Sequence, residues 1–152
     1  MSVFIGIDVS KAHLDVAVGK EAEVIRVSND EKGIAMITAL LQATQPTLIV
    51  VESTGGLERP VIKELYLAGL PVALVNPGRV REFAKSIGQL AKTDKIDARL
   101  LAHFAEAIRP PVRPLPTADS DRLAALVTRR RQVLDMLTAE RNRQHTAPGS
   151  HA

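Results

Sequence analysis

Apolar and polar positions along the chain change period several times, and each change marks an element. Val3 to Val9 is a β-branched run, and after Ser10-Lys11-Ala12-His13 the residues Leu14, Val16 and Val18 alternate with Asp15 and Ala17 before Gly19. That pattern predicts two strands joined by a tight turn. Glu23 to Val27 alternates again and stops at Ser28-Asn29-Asp30, a turn and helix-cap cluster, so the chain opens on a three-stranded antiparallel meander. From Ile34 the spacing becomes helical through Ile37, Leu40 and Leu41, ending before Pro46. Thr47 to Val51 is a continuous apolar run of strand length, as in a strand buried on both faces.

The alternation of strand and helix then continues. Ser53-Thr54-Gly55-Gly56 breaks the fourth strand, and Leu57 to Ala68 reads as a helix with Pro60 in its first turn and Gly69 as its stop. Pro71 to Val75 is a short buried strand, Asn76-Pro77-Gly78 a turn, and Val80 to Ile87 a helix interrupted by Gly88. Thr93 can cap a further helix from Asp94 to about Ile108, which Pro110-Pro111 ends. The order βββ-α-β-α-β-α-α predicts an α/β, ribonuclease H-like mixed five-stranded sheet with helices on its faces, filling residues 1–110. Residues 111–116 form a stiff, Pro-rich linker. A connector helix over 117–145, capped by Thr117 or Asp119, carries a narrow stripe of Leu123, Leu126, Val127, Val133, Leu134 and Leu137, which Arg130 interrupts. A stripe that narrow needs a partner and reads as the start of a coiled coil. Residues 146–152 carry no structural signal and read as a disordered tail.

Composition narrows the class. At 152 residues with 45% hydrophobic content the chain can bury a core, and no apolar run approaches the roughly 18 residues that cross a bilayer. With no basic n-region or apolar signal segment, a cytoplasmic location is expected. There are no cysteines, so any metal takes oxygen or imidazole ligands. The net charge of +3 lies wholly beyond residue 110: residues 1–110 hold 13 Lys or Arg and 13 Asp or Glu, and residues 111–152 hold seven Arg against four acids. Arg79, Arg81, Lys85, Lys92, Lys95 and Arg99 also outnumber the acids around them, a surface suited to phosphate or an ordinary solvated helix face.

Four carboxylates carry the candidate chemistry. Asp8 ends the first strand and Glu52 the fourth, neighbours in the inferred sheet, and open α/β sheets place ligands at such carboxyl ends. Asp94 and Asp97, three apart, share one face of the expected helix. Gathered together, four acids repel, and two Mg²⁺ ions, with Mn²⁺ as a substitute, would relieve that repulsion while binding substrate phosphate. Each acid also has an ordinary explanation: strand terminus for Asp8, turn cap for Glu52, helix N-terminal acid for Asp94. Asp97, inside a helix, gains little there. Asp15 is a rival ligand that the alternation of β-strands puts on a solvent face. His13, His103, His145 and His151 have no ligand-like spacing, and Lys11 behind Asp8 can reach phosphate.

These residues also carry a resemblance. Gly6-Ile7-Asp8-Val9-Ser10-Lys11, Val51-Glu52-Ser53-Thr54-Gly55, Val75-Asn76-Pro77 and Lys92-Thr93-Asp94-Lys95-Ile96-Asp97-Ala98 resemble the N-terminal domain of the IS-one-ten transposases, a group holding pilin-gene invertases and bridge-RNA-guided recombinases. The resemblance covers residues 3 to 145 and implies a RuvC-like domain whose catalytic, metal-binding acids are Asp8, Glu52, Asp94 and Asp97. It further implies DNA strand exchange, a structured guide RNA, multimers formed through the connector, and a catalytic serine in a C-terminal domain that this chain lacks. Lys11, Arg79, Arg81, Lys92, Lys95, Arg129, Arg130 and Arg131 are the expected nucleic-acid contacts. Family members exceed twice this length, so the expectation is a fragment inactive in recombination by itself. The alternatives are a RuvC-like Holliday-junction resolvase, or a non-catalytic RNA-binding or oligomerisation module. An actin-like or sugar-kinase ATPase lacks support, because no glycine-rich phosphate loop follows Asp8.

Overall fold

The computed structural model describes residues 2–89, 95–112 and 118–146. Five strands, β1 (Phe4–Val9), β2 (His13–Val18), β3 (Val24–Ser28), β4 (Leu48–Glu52) and β5 (Val72–Val75), form one sheet in the order β3-β2-β1-β4-β5. Only β2 runs against its neighbours: it pairs antiparallel with β1 and β3, whereas β1, β4 and β5 are parallel. That order and polarity are ribonuclease H-like, as the hydrophobic pattern predicts.

Helices cover both faces. α1 (Glu31–Thr44) and α2 (Arg59–Leu67) touch one another and reach β3 and β5. They cover the face of Ile5, Ile7, Leu14, Val16, Ile49 and Val51, all fully buried. α3 (Pro77–Ser86) and α4 (Ala98–Ile108) lie on the opposite face. There Phe4, Val50, Ala73 and Val75 of the sheet enclose Val80, Ala84, Leu101 and Phe104 of the two helices in one apolar cluster. Phe83 of α3 meets Phe104 of α4 edge to face, with ring centroids 5.6 Å apart.

α4 lies very close to β1, because Gly6 has no side chain. A Cβ at Gly6 would stand 2.1 Å from the Ala98 carbonyl oxygen and 2.5 Å from the Ala102 backbone nitrogen, so any larger residue drives the helix off the strand. Ala17, Ala98 and Ala102 complete this close seam with their own small side chains. Gly6 faces the start of α4, and the Arg109 guanidinium just past its end lies 5.0 Å over the Phe4 ring. The helix therefore runs opposite to β1 and brings its N-terminus to the end of the strand where Asp8 stands.

Several helix boundaries differ from the sequence-based expectation. Asn76-Pro77-Gly78 is not a free turn but the start of α3: the Asn76 side chain accepts from the Gly78 N–H at 2.7 Å, and Pro77 occupies the first turn. α4 begins at Ala98 rather than Asp94, because Asp97 in extended conformation caps it. α2 starts two residues later than expected, at Arg59, since Glu58 turns back into the preceding loop.

The chain divides into two compact units, Met1–Pro114 and Leu115–Ala152, with the division inside the predicted linker. The second unit is α5 (Ala118–Thr146), which passes the predicted end by including Thr146. Leu126, Val127, Val133, Leu134 and Leu137 are exposed along it, and the Leu123 side chain lies outside the described residues. No helix among the described residues is long and apolar enough to cross a membrane.

Candidate active site

Strand register alone aligns the central polar residues. Asp8 on β1 stands opposite Asp15 on β2, and Asp15 stands opposite Arg26 on β3. On the other side Ile7 pairs with Val51, so the next residue of β4, Glu52, lies beside Asp8, with Val75 of β5 beyond it. Directly opposed residues share a sheet face, and alternation from Phe4 and Gly6 puts this row on the α4 face. Arg26, Asp15, Asp8 and Glu52 therefore form one row across four strands, immediately past the N-terminus of α4.

Asp97 stands at that N-terminus. Its side chain accepts from the Leu100 N–H at 2.8 Å, satisfying a backbone donor the helix cannot satisfy itself. Asp97 is thus a capping residue with its carboxylate at the positive end of the helix dipole, and not an acid in a helix interior. Local electrostatics tie the row together. Burial first, then the charges of Asp15 and Asp97, push the Asp8 carboxyl above its ordinary value, while Lys95 and Arg26 pull the other way. Burial and then the Asp8 charge push Glu52 up as well, opposed by Arg81.

Asp15 does not face open solvent as its alternation suggested. A three-residue turn between β1 and β2, with the Ser10 N–H donating to the His13 carbonyl, sets the register that turns Asp15 toward Asp8. Arg26 engages it with two bonds, Nε to Oδ1 at 2.8 Å and Nη2 to Oδ2 at 3.0 Å. The Arg26 hydrogen bond holds Asp15 below its ordinary value against the opposing effect of burial.

Glu58 is the acid that pattern reading passed over. It is buried, and one carboxylate oxygen accepts from the Thr54 N–H at 3.2 Å, the Thr54 hydroxyl at 2.7 Å and the Gly56 N–H at 3.0 Å. Burial pushes its carboxyl up, but these bonds together with one from its own N–H outweigh it and hold the group below its ordinary value. Gly55 and Gly56, at φ 82° and 122°, let the loop turn its donors onto that oxygen. The loop leaving Glu52 is thereby fixed. Its sequence signal was a Thr-x-x-x-Glu spacing across two glycines, which looks like an ordinary helix start.

The expected cationic contacts divide by position. Lys95 and Arg81 act on the acid row. Lys11 is exposed in the β1–β2 turn, and the exposed Arg79 places its guanidinium 5.7 Å over the Phe104 ring. Arg129, Arg130 and Arg131 are exposed on α5, in the second unit. Lys92, Thr93 and Asp94 lie outside the described residues. Among the described residues no three His, Asp or Glu side chains come within common reach of one ion. Asp8 and Glu52 nonetheless suit a hard cation: both are oxygen donors, half-buried and raised first by burial and then by neighbouring carboxylate charge, and Mg²⁺ commonly takes only one or two carboxylates with waters and substrate phosphate.

Comparison with known proteins agrees in place and extent. The model of an IS110 family described as Transposase matches residues 5–147. Pilin gene-inverting proteins of Moraxella lacunata and Moraxella bovis are each 29% identical over 147 residues, which is 93% of this chain and 46% of theirs. The chain thus spans about half the length of these relatives. Among solved structures, Thermus thermophilus RuvC in complex with a Holliday junction substrate aligns with TM-score 0.48 and 18% identity over 74% of this chain and 99% of that one. A second Thermus thermophilus RuvC structure aligns at 0.43 and 21%, covering 76% and 84%.

Proposed function

Since this chain belongs to the IS110 family of transposases, we propose that residues 1–112 are the metal-holding part of a DNA strand-exchange site. The observation that carries this reading is the placement of Asp8 and Glu52 side by side at the carboxyl ends of parallel β1 and β4, beneath the N-terminus of α4. Asp8, Glu52 and Asp97, with Asp94, would share two Mg²⁺ or Mn²⁺ ions among them, without three of the described acids meeting on one ion. When bound, that metal supplies charge stabilisation to the attacking and leaving oxygens of phosphoryl transfer. The chain's own residues do the positioning. Gly6 lets α4 bring Asp97 over the strand ends, Glu58 fixes the loop leaving Glu52, and Lys95 and Arg81 offset carboxylate repulsion while offering charge to a phosphate.

The partners we propose are supported by the family resemblance and the exposed cations. DNA is the substrate, a structured guide RNA selects it, and a serine from a C-terminal domain completes the reaction in the longer protein. α5, with Arg129, Arg130 and Arg131 and an exposed apolar stripe, serves RNA contact and pairing between copies. The test is thermal unfolding of the 152-residue chain with Mg²⁺ or Mn²⁺. Binding to the folded state alone stabilises by about 2.7 kcal/mol at a hundredfold excess over Kd. We expect the melting temperature to rise, and the rise to vanish in Asp8→Asn and Glu52→Gln. An unchanged wild-type melting curve, or a rise that survives both substitutions, would sink the metal-site assignment.

A further inference from the structure

The acid row ends on a cation that neither the family motifs nor the metal reading requires. Arg26 sits on edge strand β3, with its side chain 62% exposed and its guanidinium forked onto Asp15. As a simple surface ion pair this contact would contribute little. Its position is more informative. The register places Arg26 and Asp15 in line with Asp8 on the α4 face, so the guanidinium is held above β2, about one strand spacing, ~5 Å, from the strand of Asp8. The fork uses two of five guanidinium donors and leaves three for a ligand on this largely exposed side chain.

Resting on the strand-exchange reading above, we propose that Arg26, held by Asp15, is a phosphate clamp. It binds the nucleic-acid backbone next to the phosphate that Asp8 and Glu52 address. A planar guanidinium already fixed on one side meets a phosphate with little further ordering, and its geometry suits phosphate oxygens in pairs. Substrate phosphates would then run along the row from Glu52 toward β3, with Arg26 fixing the register of the strand.

The experiment is binding of a fluorescent DNA junction to the full chain, followed by anisotropy between about 50 and 200 mM salt. The double variant D15N/R26Q keeps the net charge of the wild type while removing the clamp. Its affinity should fall several-fold, and its salt slope should drop by about one phosphate contact. Arg26→Lys keeps the charge but loses the fork, so it should retain the slope and bind more weakly. A double variant or Arg26→Lys that binds like the wild type overturns the clamp while leaving the strand-exchange reading intact. A lower melting temperature with an unchanged salt slope also overturns it, because that is the mark of a purely structural pair. A wild-type chain that binds no DNA overturns both readings.

Discussion

Asp8 and Glu52 are adjacent carboxyls that the fold makes harder to ionise, and this has a measurable consequence. A raised carboxyl holds its proton in the folded chain at pH values where the unfolded chain has released it. Stability from these two groups is therefore lost as pH rises from their ordinary values through their raised folded values. At neutral pH without metal, Asp8→Asn should stabilise the chain by about 0.5–2 kcal/mol, the range that relief of unfavourable charge commonly yields. Urea denaturation measures this, and a loss of stability would show that Asp8 is already compensated. Glu58 works in the opposite sense. Its lowered carboxyl contributes stability above its ordinary value that disappears as pH falls through the folded value. Glu58→Gln should cost roughly 1.5–3 kcal/mol, the range for hydrogen bonds to a charged group, and should flatten the acid limb of a stability-against-pH curve.

At the scale of elements, α4 places Asp97, and three contacts hold it. Gly6 allows close approach, the Arg99 Nε donates to the Ala22 carbonyl at 2.8 Å beside the β2–β3 turn, and Arg109 stacks on Phe4 at the far end. Gly6→Ala should cost about 1–3 kcal/mol as an overpacked contact against backbone that cannot yield. It should also weaken metal-induced stabilisation by moving Asp97 away. Asp97 itself has two roles that substitution can separate. Asp97→Ala should lose about 0.5–2 kcal/mol of capping, whereas Asp97→Ser keeps a cap oxygen and should recover most of that stability. Neither variant should retain the full metal response. If Asp97→Ser responds to Mg²⁺ as the wild type does, Asp97 is a cap and nothing more.

For the molecule as a whole, the buried hydrophobic core of the described residues runs from Phe4 to Ala105. The first unit contains all five strands of the described residues and the acid row, and α5 belongs to the second. Residues 1–112 by themselves should therefore unfold in one cooperative step at the melting temperature of the full chain, as calorimetry would show. A large drop would mean that α5 supports the sheet. The chain spans 46% of the length of the pilin gene-inverting relatives it matches.

Much of this was legible in the sequence. Period-two and period-3.6 patterns are local consequences of backbone geometry, so strand order, the helices and the apolar approach to Asp8 and Glu52 could be read directly. The pairing of β1 with β4 followed from chain connectivity. What depended on contacts distant in sequence could not be read in the same way. Asp15 looked solvent-facing because alternation reports two faces but not which one receives a helix, and only the register between β1, β2 and β3 decided it. Asp97 looked like a helix-interior acid because spacing does not reveal where a cap falls. Glu58 drew no notice in the pattern, because its role depends on the Gly55-Gly56 turn that folds three donors onto it. The amino-acid pattern determined which acids exist and which elements carry them. The tertiary structure decided which of them meet, because their meeting depends on register and on one missing side chain at Gly6.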